Sequence, residues 1–91
     1  MKRLTEEEIL QKMTEAGAKH GFVTNENGIK IARAKKRMFV DTVSDEEYTG
    51  EEWKRCPCDG NNPARFCVSD LCQSDVRTKG VCHCNCHRLK K

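Results

Sequence analysis

Apolar side chains in the first third of the chain recur at helical intervals. Ile9, Leu10, Met13 and Ala16 follow Thr5-Glu6-Glu7-Glu8, and the spacing predicts an amphipathic helix over residues 5–19. Thr5 fits the N-cap and Glu8 its reciprocal partner in a capping box, with carboxylates in the electropositive first turn. Gly17 or Gly21 supplies a stop. Phe22 and Val23 then lead into a polar turn, Thr24-Asn25-Glu26-Asn27-Gly28. From Ile29 to about Val43 the apolar positions Ile29, Ala32, Ala34, Met38, Phe39 and Val43 predict a second, less regular helix. Its polar face carries Lys30, Arg33, Lys35, Lys36 and Arg37. That stripe reads as a solvated face in preference to a docking surface for an acidic partner. An acidic stretch follows, broken by Gly50, and Trp53 reads as a packing lid over what comes next. Asp59-Gly60-Asn61-Asn62-Pro63 predicts a tight loop. Ser69 to Val76 suits a short helical turn, and Lys79-Gly80 turns the chain again.

The pattern changes character after Trp53, because all seven cysteines fall in the last 36 residues. They read Cys56-Pro57-Cys58, then Cys67 and Cys72, then Cys82-His83-Cys84-Asn85-Cys86. In an extended C-x-C segment the two side chains point to opposite sides. One sulfur of each pair is then free to face a metal while its neighbour faces elsewhere, and the two left over could meet as a redox-active disulfide. Cys67 and Cys72 complete four ligands. Four thiolates suit either zinc or an iron–sulfur cluster, but only the cluster supplies electrons to an adjacent disulfide. Zinc sites more often take C-x2–4-C pairs, so the spacing matches no familiar finger or ribbon.

Composition explains why such a site matters to the fold. Ninety-one residues, of which 36% are hydrophobic and 34% charged, form one small domain with a thin core. A chain of that kind needs a staple. We take residues 1–91 as a single domain, with an N-terminal helical part (5–43) and a cysteine-rich part (56–86). The opening residues carry a carboxylate run where a secretion signal needs apolar side chains, and no segment approaches the ~18 apolar residues of a membrane span. The expectation is a cytoplasmic chain, where clustered cysteines point to metal or redox chemistry and not to structural disulfides. Charge is uneven. Residues 1–55 carry 11 basic and 11 acidic side chains, whereas residues 56–91 hold the whole net charge of +3. Four metal-bound thiolates would offset much of it. With few aromatic side chains to stack on bases, nucleic acid is not the expected partner.

Taken together, the cysteine elements resemble those of the catalytic subunit of ferredoxin–thioredoxin reductase. Cys56-Pro57-Cys58 and Cys82-His83-Cys84 match that family's outer motifs residue for residue, and the helix leading to Lys19-His20-Gly21-Phe22 is loosely similar. The resemblance implies a mainly α, small helical domain wrapped around a 4Fe–4S cluster, working as a disulfide reductase. By it, Cys56 and Cys82 are cluster ligands, Cys58 and Cys84 form the active disulfide, and His83 helps move protons beside it. By count, Cys67 and Cys72 are the remaining ligands. It further implies a ferredoxin-like donor of single electrons, a thioredoxin-like protein substrate, and a possible non-catalytic subunit. Two features depart from the family. Its middle element is a second C-P-C, replaced here by Cys67-Val68-Ser69-Asp70-Leu71-Cys72. Cys86 has no counterpart; the plain reading is a surplus thiol, the others a resolving cysteine or a fourth ligand in place of Cys67. His20 and His87 read as surface histidines. The alternative from another class is a non-catalytic zinc-binding module that engages nucleic acid or protein.

Overall fold

The computed structural model describes residues 3–57, 66–83 and 85–89. Cys58, Cys84 and the expected loop at 59–63 lie outside the described residues. Among those described, helix α1 spans Glu6–Ala18, strand β1 Phe22–Thr24, α2 Asn27–Lys35, α3 Asp70–Lys79 and strand β2 His87–Leu89. The chain is mainly helical, with a two-stranded antiparallel sheet. No helix among the described residues is long and apolar enough to cross a membrane.

Helix α1 starts as its sequence dictates. The Thr5 side chain accepts from the Glu8 amide at 3.1 Å, and the Thr5 amide donates to the Glu8 carboxylate at 2.9 Å. Two orphan donors of the first turn are thereby satisfied. Ile9 and Met13 on one face are fully buried. Gly17 does not stop the helix; it lies inside it and is buried. Gly21, at φ +78°, takes the left-handed turn beyond it, where a side chain would be strained.

The second helix is phased differently from the expectation. Its buried stripe is Gly28, Ile31, Ala32 and Lys35, an i, i+3, i+4, i+7 set, while Ile29 and Met38 are exposed. Asn25 opens it, its side chain accepting from the Asn27 amide at 2.9 Å. After Lys35 the chain widens into a π-helical turn over Lys36–Val40, closed by the Asp41 amide on the Lys36 carbonyl at 2.8 Å. The wider turn resets the phase and buries Phe39 and Val40 together. Lys30, Arg33 and Arg37 are exposed as expected, but the basic stripe is not uniformly solvated. Lys36 donates to the Leu4 carbonyl at 3.0 Å, and Lys35 is completely buried.

Two antiparallel pairings then fold the cysteine-rich part back on the helices. A bridge between Arg55 and Phe66, together with the Cys67 amide on the Lys54 carbonyl at 2.7 Å, aligns the first two segments. Strand β2 pairs with β1 in the register Phe22↔Leu89, Val23↔Arg88, Thr24↔His87. Helix α3 begins at Ser69, whose hydroxyl accepts from the Cys72 amide at 3.3 Å, and ends at Gly80 in the left-handed conformation. It runs one turn further than the sequence predicts. Trp53 packs in one cluster with Ile9, Met13, Val40, Cys56 and Cys67, in keeping with a packing role.

Candidate metal centre

Five cysteines from four segments meet around one small pocket: Cys56, Cys67, Cys72, Cys82 and Cys86, all buried. Phe66 and His83 complete its lining, and both are exposed. Each sulfur arrives by a local device. The antiparallel Arg55–Phe66 bridge sets Cys56 and Cys67 one residue beyond its two partners, Cys67 opposite Lys54, and the Ser69 cap places Cys72 in the first turn of α3.

The last segment is a tight loop built around the Cys82 sulfur. Asn85 adopts φ 58°, and its amide donates to the Cys82 carbonyl at 2.9 Å. Asparagine is among the few side chains that tolerate this left-handed conformation. The turn aims two further amides at one atom: those of Cys86 and His87 each donate to the Cys82 Sγ at 3.4 Å. The Cys82 amide donates in turn to the His87 carbonyl at 3.0 Å. Contacts from the Cys72 and Cys86 thiols, aided by these donors against the cost of burial, hold the Cys82 thiol far below its ordinary range. The loop thus favours the anionic form of the Cys82 sulfur. Its neighbours pay the complementary part: hydrogen bonding to Cys82 raises Cys72, and hydrogen bonding to Cys67 and Cys82 raises Cys86, in both cases with burial adding to it.

Cys67 is shifted in the same direction. Its hydrogen bond with Cys86 draws it down, burial opposes this, and the Lys35 ammonium at 2.7 Å draws it down further, to about 5.

His87 corrects the sequence reading, and Cys86, read as a surplus thiol, a resolving cysteine or a fourth ligand, is buried with its Sγ 3.6 Å from that of Cys82. His87 is not a surface residue but is 0% exposed. Its Nε2 lies 2.9 Å from the Met13 carbonyl, which can only accept, so Nε2 carries a proton. Nδ1 faces the Cys86 Sγ at 3.5 Å. Burial disfavours the imidazolium, but contacts with the Cys82 sulfur and the Met13 carbonyl outweigh it and leave His87 raised. His20 is exposed, as expected.

The donor set fits a thiolate-bound metal group. Two sets, Cys67–Cys86–His87 and Cys72–Cys82–His87, each bring their ligand atoms within 4.8 Å of one another. Zn–S bonds of about 2.3 Å and Zn–N bonds of about 2.0–2.1 Å put neighbouring tetrahedral ligands roughly 3.6–3.8 Å apart. The 3.6 Å Cys82–Cys86 and 3.5 Å Cys86–His87 separations match those edges. Four soft sulfurs suit an iron–sulfur cluster equally by donor chemistry; a cluster, with its irons standing between them, requires the sulfurs to draw apart.

The predicted ligands Cys56, Cys67, Cys72 and Cys82 are thus brought together, and His83 stands at the pocket edge. The proposed disulfide pair, Cys58 and Cys84, lies outside the described residues. No protein-family model, no curated protein and no solved structure matches the chain.

Proposed function

We propose that this chain is an iron–sulfur disulfide reductase of the ferredoxin–thioredoxin reductase type. The observation that carries the reading is the surplus of thiols. A structural zinc site takes four ligands, whereas five cysteines crowd this pocket and two more flank it in sequence. In this reading Cys56, Cys67, Cys72 and Cys82 hold a 4Fe–4S cluster, which when bound supplies single electrons from a ferredoxin-like donor. Cys58 and Cys84 are the cycling pair, and a thioredoxin-like protein disulfide is the substrate.

The chain's own groups have separable tasks. The amides of Cys86 and His87 keep the Cys82 sulfur anionic and oriented. Trp53 and the buried aliphatic side chains exclude water from the inner face of the sulfurs. His83, exposed at the pocket edge, holds or delivers the proton that a leaving thiolate requires. Attack by one thiolate of the reduced pair on the substrate disulfide forms a mixed disulfide and releases one substrate thiol. The second thiolate of the pair then displaces the other, so the pair is oxidised as the substrate is reduced. Iron and acid-labile sulfide analysis of protein purified without oxygen tests the reading. Iron and sulfide in equal amounts, with Cys58→Ser retaining both but losing disulfide reduction, are expected; a colourless protein with stoichiometric zinc and no sulfide overturns it.

The second reading is a non-catalytic zinc module engaging a protein or nucleic acid. The two three-ligand sets, Cys67–Cys86–His87 and Cys72–Cys82–His87, each gathered within 4.8 Å, favour it, and it predicts one zinc and salt-sensitive binding to a polyanion.

A further inference from the structure

Behind the Cys67 sulfur stands one group that neither reading uses. Lys35 closes the buried stripe of α2 and is 0% exposed. Its ammonium donates to the Cys67 Sγ at 2.7 Å and to the Trp53 carbonyl at 2.7 Å, and stands 5.8 Å from the centre of the Trp53 ring. Among the described residues no carboxylate pairs with it. A buried ammonium without an anion is too costly to retain, and neither a carbonyl nor an indole face supplies a full negative charge. Among the described residues the Cys67 sulfur, 2.7 Å away, is the group in reach that can carry one.

The charge of a loaded site gives this contact its purpose. Four thiolates around one zinc ion, or around a cluster core of two positive charges, leave two net negative charges in a low-dielectric pocket. We propose that Lys35 is the built-in counter-cation of the cysteine site, holding Cys67 as a ligand thiolate and offsetting the negative charge of the loaded centre. Cys67 is then a ligand from this side of the pocket, whether or not Cys86 binds beside it. Lys35 is a positioning residue: it acts through the sulfur it touches. The inference does not depend on the identity of the metal.

Cobalt(II) is the probe, because its thiolate charge-transfer bands report sulfur ligation whether or not the native centre is a cluster. In Lys35→Met, which keeps the length and apolar stem, cobalt affinity measured by chelator competition falls about 10- to 100-fold, the usual cost of losing a group that supports a metal ligand. Lys35→Gln, which keeps a donor without the charge, falls between the two and serves as the test should the methionine variant not fold. In protein that carries a cluster, the midpoint potential of Lys35→Met moves negative, since reduction adds charge that Lys35 no longer offsets. Cobalt binding within twofold of wild type, with unchanged bands, overturns the proposal. Failure of the disulfide-reductase reading would appear separately, as absence of iron and sulfide with the cobalt result intact.

Discussion

Gly17 shows how a single residue couples the helices to the site. A β-carbon there would stand 2.5 Å from the His87 Cδ2 and 2.8 Å from its Nε2. The imidazole cannot retreat, because it is buried on all sides and held to Met13. Glycine inside a helix ordinarily costs roughly 0.5–1 kcal/mol relative to alanine, whereas overpacking a tight contact costs about 1–3 kcal/mol. The second effect wins, so Gly17→Ala destabilises by about 1–2 kcal/mol and lowers the urea midpoint; an unchanged or higher midpoint would show that the imidazole moves freely. Residue type alone hid this contact. Gly17 reads as a helix stop and His87 as a surface side chain until the 70-odd residues between them are folded, since their meeting depends on the long-range pairing of β1 with β2. Lys35 was hidden for the opposite reason. The sequence puts it on the polar face of the second helix, where a lysine reads as solvent-facing unless a buried anion is already known.

Elements whose signals are local were the legible ones. The α1 capping box and the Ser69 start of α3 each depend on side chains within a few residues, and the sequence places both; it ends α3 at Val76, one turn short of the Gly80 cap. The second helix was misphased because a π-helical turn adds a residue to the repeat, and no residue type announces that. Neither strand was predicted, each being only three residues long. The cysteine loop at 82–87 combines both cases: its sulfurs are obvious, but the turn that orients them rests on Asn85 at φ 58°. A side chain that resists the left-handed region costs about 1–2 kcal/mol there. Asn85→Gly is therefore tolerated. Asn85→Val lowers thermal stability and, by swinging the Cys86 and His87 amides off the Cys82 sulfur, weakens metal retention against a chelator. Equal metal retention in both variants would detach the turn from the site.

At the scale of the whole molecule, the two parts are stabilised by different means. Helices α1 and α2 bury Ile9, Met13, Ile31 and Ala32 in one cluster with Phe22, Val40 and Tyr48, apolar side chains with no metal ligand among them, and that cluster continues into the buried cysteines. The N-terminal arm is tied down as well: the Tyr48 hydroxyl accepts from the Leu4 amide at 3.1 Å, and Arg3 pairs with Asp45 at 2.8 Å. The cysteine-rich part has only Val68 and Val76 as buried aliphatic side chains among its described residues; thiols and Ser69, with His87 just beyond, make up the rest of its buried side chains. Like-charged thiolates repel once the metal between them is withdrawn, whereas the helical core is indifferent to that change. Chelation should therefore expose the amides of α3 and of residues 82–87 to hydrogen exchange well before those of α1, with protection following local stability. Within α1 the order is also set. The turn around Gly17 abuts His87 and should follow the cysteine loop, while Ile9, behind its capping box, exchanges last. Simultaneous exchange of α1 and α3 after metal removal would mean that one cooperative core spans the chain, and that the thiols are guests in it instead of its staple.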